Sequence, residues 1–228
     1  MTELSGLRVL VVGATGGLGS RIARRLSDAG AVLALSARDA GRLDSLGITA
    51  QTIAADPSSG SAALVAEAEN RLGGLDALVI ASGVVAFGPA SGLAAETAAE
   101  LFAVNVVTPI ELIGAALPAL SRSAEAGRKP VVVTISGIVA ESPTAGLAAY
   151  SASKAALAAF MMAAGRENRR AGIRMLDARP GHTETGLVTR AIAGVAPAFP
   201  TGLDPDHVAA SIVAAIASGA RDLPSSAF

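Results

Sequence analysis

The chain has one tyrosine, Tyr150, and one of its two lysines, Lys154, follows four residues later. On a helix, residues at i and i+4 share a face. A free phenol has a pKa of about 10 and shuttles protons poorly at neutral pH. A neighbouring ammonium favours phenolate and lowers that value. Such a pair is suited to general acid/base work: Tyr150 gives a proton to a carbonyl oxygen as hydride arrives, or takes one from an alcohol. Taken alone, Y-x-x-x-K is a common pattern, and an exposed helix-surface pair is its plainer reading. The surrounding elements decide between the two.

A second constellation lies near the N-terminus, in Gly13-Ala-Thr15-Gly-Gly17-Leu18-Gly19. It follows the apolar run Leu7–Val12 and precedes a helical stretch, Ser20–Ala29. Glycine permits tight turns and close backbone approach. A helix N-terminus offers unpaired N–H groups and partial positive charge, which stabilise a pyrophosphate. The strand-turn-helix context lifts this cluster above a chance run of glycines or a turn kept only for packing. At the end of the next strand, Ser36-Ala37, the acidic residue that would hold an NAD ribose is missing. Arg38 follows, and arginine pairs with a 2′-phosphate. This favours NADP(H), while Asp39 leaves NAD(H) open. Arg38 as a solvated loop charge is the plainer alternative.

Strands and helices alternate along the whole chain. Strands are expected at Leu7–Val12, Ala31–Ser36, Ile48–Ala54, Leu75–Ala81, Val131–Ser136 and Ile173–Arg179, with a short last one at Arg221–Leu223. Helices are expected at Ser20–Ala29, Asp39–Leu46, Ser58–Leu72, Ala94–Leu120 with Pro109 as a kink, Tyr150–Arg170 and Asp204–Ser218. Such alternation implies an α/β, three-layer, Rossmann-like doubly wound parallel sheet in a single domain spanning residues 1–228. The Gly/Pro/Ala-rich segment Gly186–Leu203 reads as a substrate lid.

With these motifs in view, the chain resembles the short-chain dehydrogenase/reductase family. The glycine spacing matches T-G-x-x-x-G-x-G, with Val12 in place of the threonine. Tyr150-Ser-Ala-Ser-Lys154-Ala-Ala matches Y-S-A-S-K-A-A. The resemblance implies that Lys154 also holds the nicotinamide ribose, that Asn105 supports a water-linked proton relay, and that Asp56 contacts adenine. Asp56-Pro57-Ser58 is equally a helix cap, and Asn105 equally an ordinary polar residue at a helix bend. Pro180-Gly181-His182-Thr183-Glu184-Thr185 resembles P-G-x-x-x-T, which holds the carboxamide through backbone and threonine. Gly83 is what remains of N-N-A-G, here Ile80-Ala-Ser-Gly83, where altered local bonding is expected rather than lost activity. The family serine thirteen residues before the tyrosine is replaced by Gly137. Ser136, if a turn or bulge re-aims it, or Ser142 is then the candidate donor to the substrate oxygen. Loss of such a donor costs about 10²–10³ in rate. A homodimer or homotetramer is also implied.

Composition narrows the field. The 228 residues are 51% hydrophobic with net charge −1 and no cysteine. That speaks against a nucleic-acid surface and excludes thiolate chemistry, disulfides and Cys-based metal sites. His182 and His207 are too few for a metal centre. With no targeting segment and no membrane span read from the sequence, a soluble, cytoplasmic protein is expected. The site predicts hydride transfer between nicotinamide and a carbonyl or secondary alcohol of a small or medium hydrophobic substrate. The rival is a regulatory NADP-binding protein weakened by Gly137. An epimerase or dehydratase on this scaffold is disfavoured by the short stretch after the last helix.

Overall fold

A computed structural model describes all residues, Met1–Phe228. Six parallel strands, β1 (Arg8–Val12), β2 (Val32–Ala37), β3 (Gln51–Ala54), β4 (Ala77–Ile80), β5 (Val131–Ile135) and β6 (Arg174–Ala178), pair in the order β3-β2-β1-β4-β5-β6. Each strand is a short run of β-branched or aliphatic residues, as a sheet covered on both faces requires. Crossover helices run between them: α1 (Gly17–Asp28), α2 (Ala40–Asp44), α3 (Pro57–Leu72), α4 (Ala95–Phe102), α5 (Thr108–Glu125) and α6 (Ala148–Glu167), with α7 (Pro205–Ser218) after β6.

Alternating strand residues feed two cores. Val9, Val11, Leu35, Val133 and Leu176 pack with Ile22 and Leu26 of α1 and with Val208, Ile212 and Ile216 of α7. Leu10, Val12, Leu78, Val132 and Met175 pack on the other face with Leu64 of α3, Leu112 and Ile113 of α5, and Leu157 and Met161 of α6. The strand order reverses between β1 and β4, and ligands of open α/β sheets bind outside the strand carboxyl ends at such a point.

Three expectations are corrected. The helical run expected over Ala94–Leu120, with Pro109 as a kink or break, runs unbroken from Ala95 to Glu125, with a widened π turn at Ala103–Val107. Proline supplies no N–H to the carbonyl four residues earlier and its ring crowds that carbonyl. The wider turn absorbs this, and the Ala103 carbonyl accepts both the N–H and the hydroxyl of Thr108. This run is long and apolar enough to cross a membrane by composition, with a mean hydropathy of 1.7 over its best window. The fold uses its apolar side, Leu101, Leu112, Ile113 and Leu120, against the sheet and neighbouring helices. The last strand predicted at Arg221–Leu223 is a single bridge between Leu223 and Ala178, because Pro224 has no N–H with which to extend a ladder. The strand expected from Ile48 begins only at Gln51 and forms the sheet edge.

At the opposite end of the sheet, away from the glycine turn, Asp76 is fully buried just before β4. It takes bonds from Arg8 Nη2 at 2.7 Å, Ser123 Oγ at 2.7 Å and Arg128 Nη1 at 2.9 Å, tying β1, α5 and the stretch before β5 together. Burial pushes its carboxyl up, but the bonds from Arg8 and Ser123 outweigh that and hold it below the usual carboxylate value. Its folded value is depressed, so its contribution to stability is present above the unfolded pKa of about 4 and lost as pH falls below it. Asp76→Ala leaves two guanidinium groups without their acceptor and is expected to lower unfolding free energy by about 3 kcal/mol. Urea titration at pH 7 checks this, and the difference from wild type should shrink towards pH 3.

Candidate active site

The carboxyl ends of β1, β4, β5 and β6 open on a cavity of about 780 Å³. Its first part is built by the glycine turn. Gly13 adopts φ +80°, and a Cβ there would come 2.7 Å from the Ser82 backbone nitrogen. A Cβ on Gly17 would come 2.5 Å from Thr185 Cβ, and one on Gly19 would strike the Gly13 carbonyl. The glycines therefore let the turn fold on itself and the β6 loop lie against it. Gly16 caps α1 without a side chain to occupy the first-turn N–H groups, which leaves them for a ligand.

At the adenosine end, Arg38 lines the cavity together with Asp56, Ser58 and Arg42. Sequence reasoning missed Arg42, which lies four residues beyond Arg38, within α2, and donates to the Thr15 carbonyl at 3.0 Å. The i, i+4 spacing of two arginines was the available signal. Asp39 does not line the cavity; it caps α2 by accepting the Arg42 N–H at 3.1 Å. Asp56 caps α3 through the Ser58 hydroxyl and N–H, which lower its carboxyl pKa, and it also lines the cavity. Ser36, at the end of β2, is fully buried in the cavity wall with an unpartnered hydroxyl. These free donors and cations, continuous with the glycine turn, fit a dinucleotide.

At the far end, Tyr150 and Lys154 project from the first turns of α6. Lys154 Nζ lies 5.8 Å from the Tyr150 ring centroid and donates to the Ile135 carbonyl at 2.8 Å. The expected lowering of the phenol pKa is not found here. Tyr150 is partly buried in the wall, and loss of water pushes it up to about 12, while burial pushes Lys154 down to about 8 against the opposing charge of Asp177. Gly83 makes room for both partners of this corner: a Cβ there would come 3.2 Å from Asn105 Oδ1 and 3.4 Å from Lys154 Nζ.

Asn105 stands one layer behind the wall, in the π turn. Its Oδ1 accepts from Val84 N–H at 3.0 Å, and its Nδ2 donates to the Val84 carbonyl at 2.9 Å and to Ser153 Oγ at 3.1 Å. At the positions of the missing N-N-A-G asparagines stand Ile80, which enters the aliphatic core, and Ala81, while Ser82, at the alanine position, has a buried hydroxyl without a partner. Thr15, Leu18, Pro180, Gly181, Thr183 and Thr185 line the cavity as anticipated, and so does His182. His182 stacks on Phe199, with ring centroids 4.8 Å apart, and its Nε2 lies 3.4 Å from Glu184 Oε1.

Neither serine considered in place of the family hydroxyl is free to serve. Ser136 keeps to the face of Thr134 two residues earlier, and its Oγ donates to Asp177 Oδ2 at 2.5 Å in full burial. The N–H groups of Ser136 and Gly137 both donate to the Ala178 carbonyl at this irregular strand end, yet the Ser136 hydroxyl stays on Asp177. Ser142 is exposed and off the cavity, which Thr144 lines instead. Gly137 has φ +78° and ψ 166°, a conformation open essentially to glycine alone.

A family model for short chain dehydrogenase matches residues 8–195. The chain belongs to this family. It is an oxidoreductase of the NAD(P)-dependent short-chain type. No curated protein matches the sequence. Among solved structures, a short-chain dehydrogenase from Streptomyces avermitilis is 28% identical, with 96% of this chain and 88% of that one covered and a TM-score of 0.84. A short chain dehydrogenase from Burkholderia cenocepacia in complex with NADP is 27% identical, with 98% of each chain covered and a TM-score of 0.83. A 3-ketoacyl-(acyl-carrier-protein) reductase from Brucella melitensis complexed with NADH is 24% identical over 97% of each chain, with a TM-score of 0.86, a likeness of fold.

The pKa of Lys154 sets a stability signature. Its folded value, about 8, lies below the unfolded 10.5, so the unfolded chain binds more protons between these values and stability gains as pH rises through that window. The urea midpoint of wild type relative to Lys154→Met is expected to increase from pH 7.5 to pH 9.5, a range in which Tyr150 is still protonated when folded. A pH-independent difference would contradict the buried state of Lys154.

Proposed function

We propose that this short-chain dehydrogenase is an NADP(H)-dependent carbonyl reductase for small or medium hydrophobic substrates, working reversibly on the corresponding secondary alcohol. The observation that carries this is the continuity of one cavity from the arginine pair Arg38 and Arg42, past the glycine turn, to Tyr150 and Lys154. Beyond Tyr150 the lining turns apolar, with Val85, Phe87, Leu147, Val188 and Phe199. The NADP held by the Burkholderia cenocepacia relative supports the cofactor choice.

The bound nicotinamide supplies or accepts the hydride. At neutral pH Tyr150 carries its proton, the state needed to protonate a carbonyl oxygen as hydride reaches the carbon. Lys154, next to it, would hold the ribose and stabilise the phenolate left when Tyr150 gives up its proton, and Asn105 supports the water-linked return of a proton from solvent. Asn105 also pins Val84, and thereby the wall opposite Lys154. Pro180, Gly181, Thr183 and Thr185 hold the carboxamide end; Gly13, Thr15, Gly17, Leu18 and Gly19 form the pyrophosphate turn. Gly186–Leu203 acts as the lid of a single catalytic domain. It is stitched to the loop after β4 where Ile192 N–H donates to the Val85 carbonyl and Phe87 N–H to that of Ala193. Exposed Phe102, Val107 and Met162 on the α4–α6 side support a homodimer or homotetramer.

A second reading, a nucleotide-binding regulatory protein, draws on Gly137 and on the engagement of Ser136 with Asp177. Turnover on any member of a carbonyl panel with NADPH would reject it. For the enzyme, calorimetry should find NADPH bound at least tenfold more tightly than NADH, with the preference collapsing in Arg38→Ala; equal affinities in wild type would overturn the cofactor assignment. Tyr150→Phe is expected to lower turnover by about 10² or more, and a loss of tenfold or less would remove Tyr150 from its role.

A further inference from the structure

Behind Lys154 lies a buried acid with no part in the scheme above. Asp177 is on β6, 5% exposed, opposite Thr134 of β5 in register. Thr134 Oγ1 donates to its Oδ1 at 2.8 Å and Ser136 Oγ to its Oδ2 at 2.5 Å. The residue between those two, Ile135, gives its carbonyl to Lys154 Nζ. Three consecutive residues at one strand end thus hold a carboxylate and an ammonium, both nearly closed to solvent. Asp177 shares its face of the sheet with Val132 and Met175, the face that α6 covers.

We propose that Asp177 is a positioning residue that keeps Lys154 in its charged form across this strand end, without touching substrate or cofactor. The functional consequence rests on the Tyr150–Lys154 reading. An isolated ammonium in this pocket is opposed by desolvation, and a neighbouring carboxylate is what restores it. The Asp177 charge acts on Lys154 in that sense. The other titratable group facing Lys154 is Tyr150, one turn earlier on α6. Asp177 itself faces Arg179, whose Nη1 lies 3.3 Å from Oδ2. Arg179 also pairs with Glu141 and Asp222, so its positive charge is shared among three acids and only partly offsets Asp177. Burial pushes the Asp177 carboxyl up, and the two hydroxyls pull it back. The arrangement also accounts for Ser136: its hydroxyl serves the carboxylate rather than the substrate.

The chain has only Lys129 and Lys154, so lysine labelled with carbon-13 at the ε position gives two distinguishable signals by NMR. Lys129 is exposed and serves as internal reference. In full-length Asp177→Asn the Lys154 midpoint is expected to fall by about half a unit or more, roughly a threefold loss of proton affinity, while Lys129 stays put. Asp177→Leu, similar in size, should give the same fall if the first variant does not fold. Wild type provides a measurement that needs no variant: the Lys154 signal should show a second inflection as Asp177 protonates, above the ordinary carboxylate range. An unmoved Lys154 midpoint in a folded variant, or a wild-type signal with no acid inflection, would overturn the proposal. In turnover, the acid limb of alcohol oxidation should move to higher pH in Asp177→Asn, since a less charged lysine favours phenolate less. Absence of any turnover in wild type would refute the reductase reading and leave the NMR result to stand by itself.

Discussion

All six strands run the same way, and this one constraint governs where chemistry can occur. Parallel pairing forces every connection to cross over through a helix, so strand carboxyl ends gather on a single edge. Where the order reverses between β1 and β4, the crossovers diverge and leave a crevice instead of a packed loop. The glycine turn after β1, Gly83 after β4, Ser136 after β5 and Pro180–Thr185 after β6 all meet there, although they are scattered over most of the chain. Their shared location follows from topology before any specific contact is considered.

Within that crevice, burial sets the electrostatics more than proximity does. Spacing alone puts Tyr150 and Lys154 on one helix face, and from that an acidified phenol was the natural expectation. The folded site reverses it, because desolvation acts on both groups and the lysine spends a bond on the Ile135 carbonyl. The same low-dielectric interior makes the buried carboxylates consequential. Asp76 ties down the end of the sheet remote from the cavity, and Asp177 lies by the strand end that holds Lys154, each with several donors around it.

The sheet and the main motifs were legible because their signals are local. Runs such as Val9–Val12 have the composition of covered strands, and glycines flanked by strand and helix declare a turn. Ends were less legible. Pro224 stops pairing at Leu223, and Pro109 widens a turn upstream instead of breaking the helix. In the site, Tyr150, Lys154 and the Gly13–Gly19 turn could be found from type and spacing, whereas the direction of Ser136 depends on which face of β5 meets β6. Asp177 belongs to no motif in the sequence, and only the register with Thr134 reveals its partners. Arg42 joins the cavity because α2 folds back towards Thr15, a tertiary fact.

Gly137 bears on how this chain can change over time. Its backbone sits at φ +78°, one residue after Ser136, whose hydroxyl is committed to Asp177. There is physical room for a side chain, since the nearest atom to a Cβ, the Pro180 carbonyl oxygen, would be 3.6 Å away. The obstacle is conformational, and an L-residue there carries roughly 1–3 kcal/mol of backbone strain. A single codon change to serine would therefore not supply a well-placed hydroxyl cheaply. Supplying one requires the Gly137 backbone to rearrange first, so variation of the cavity is more accessible in Gly186–Leu203 and around His182 and Phe199.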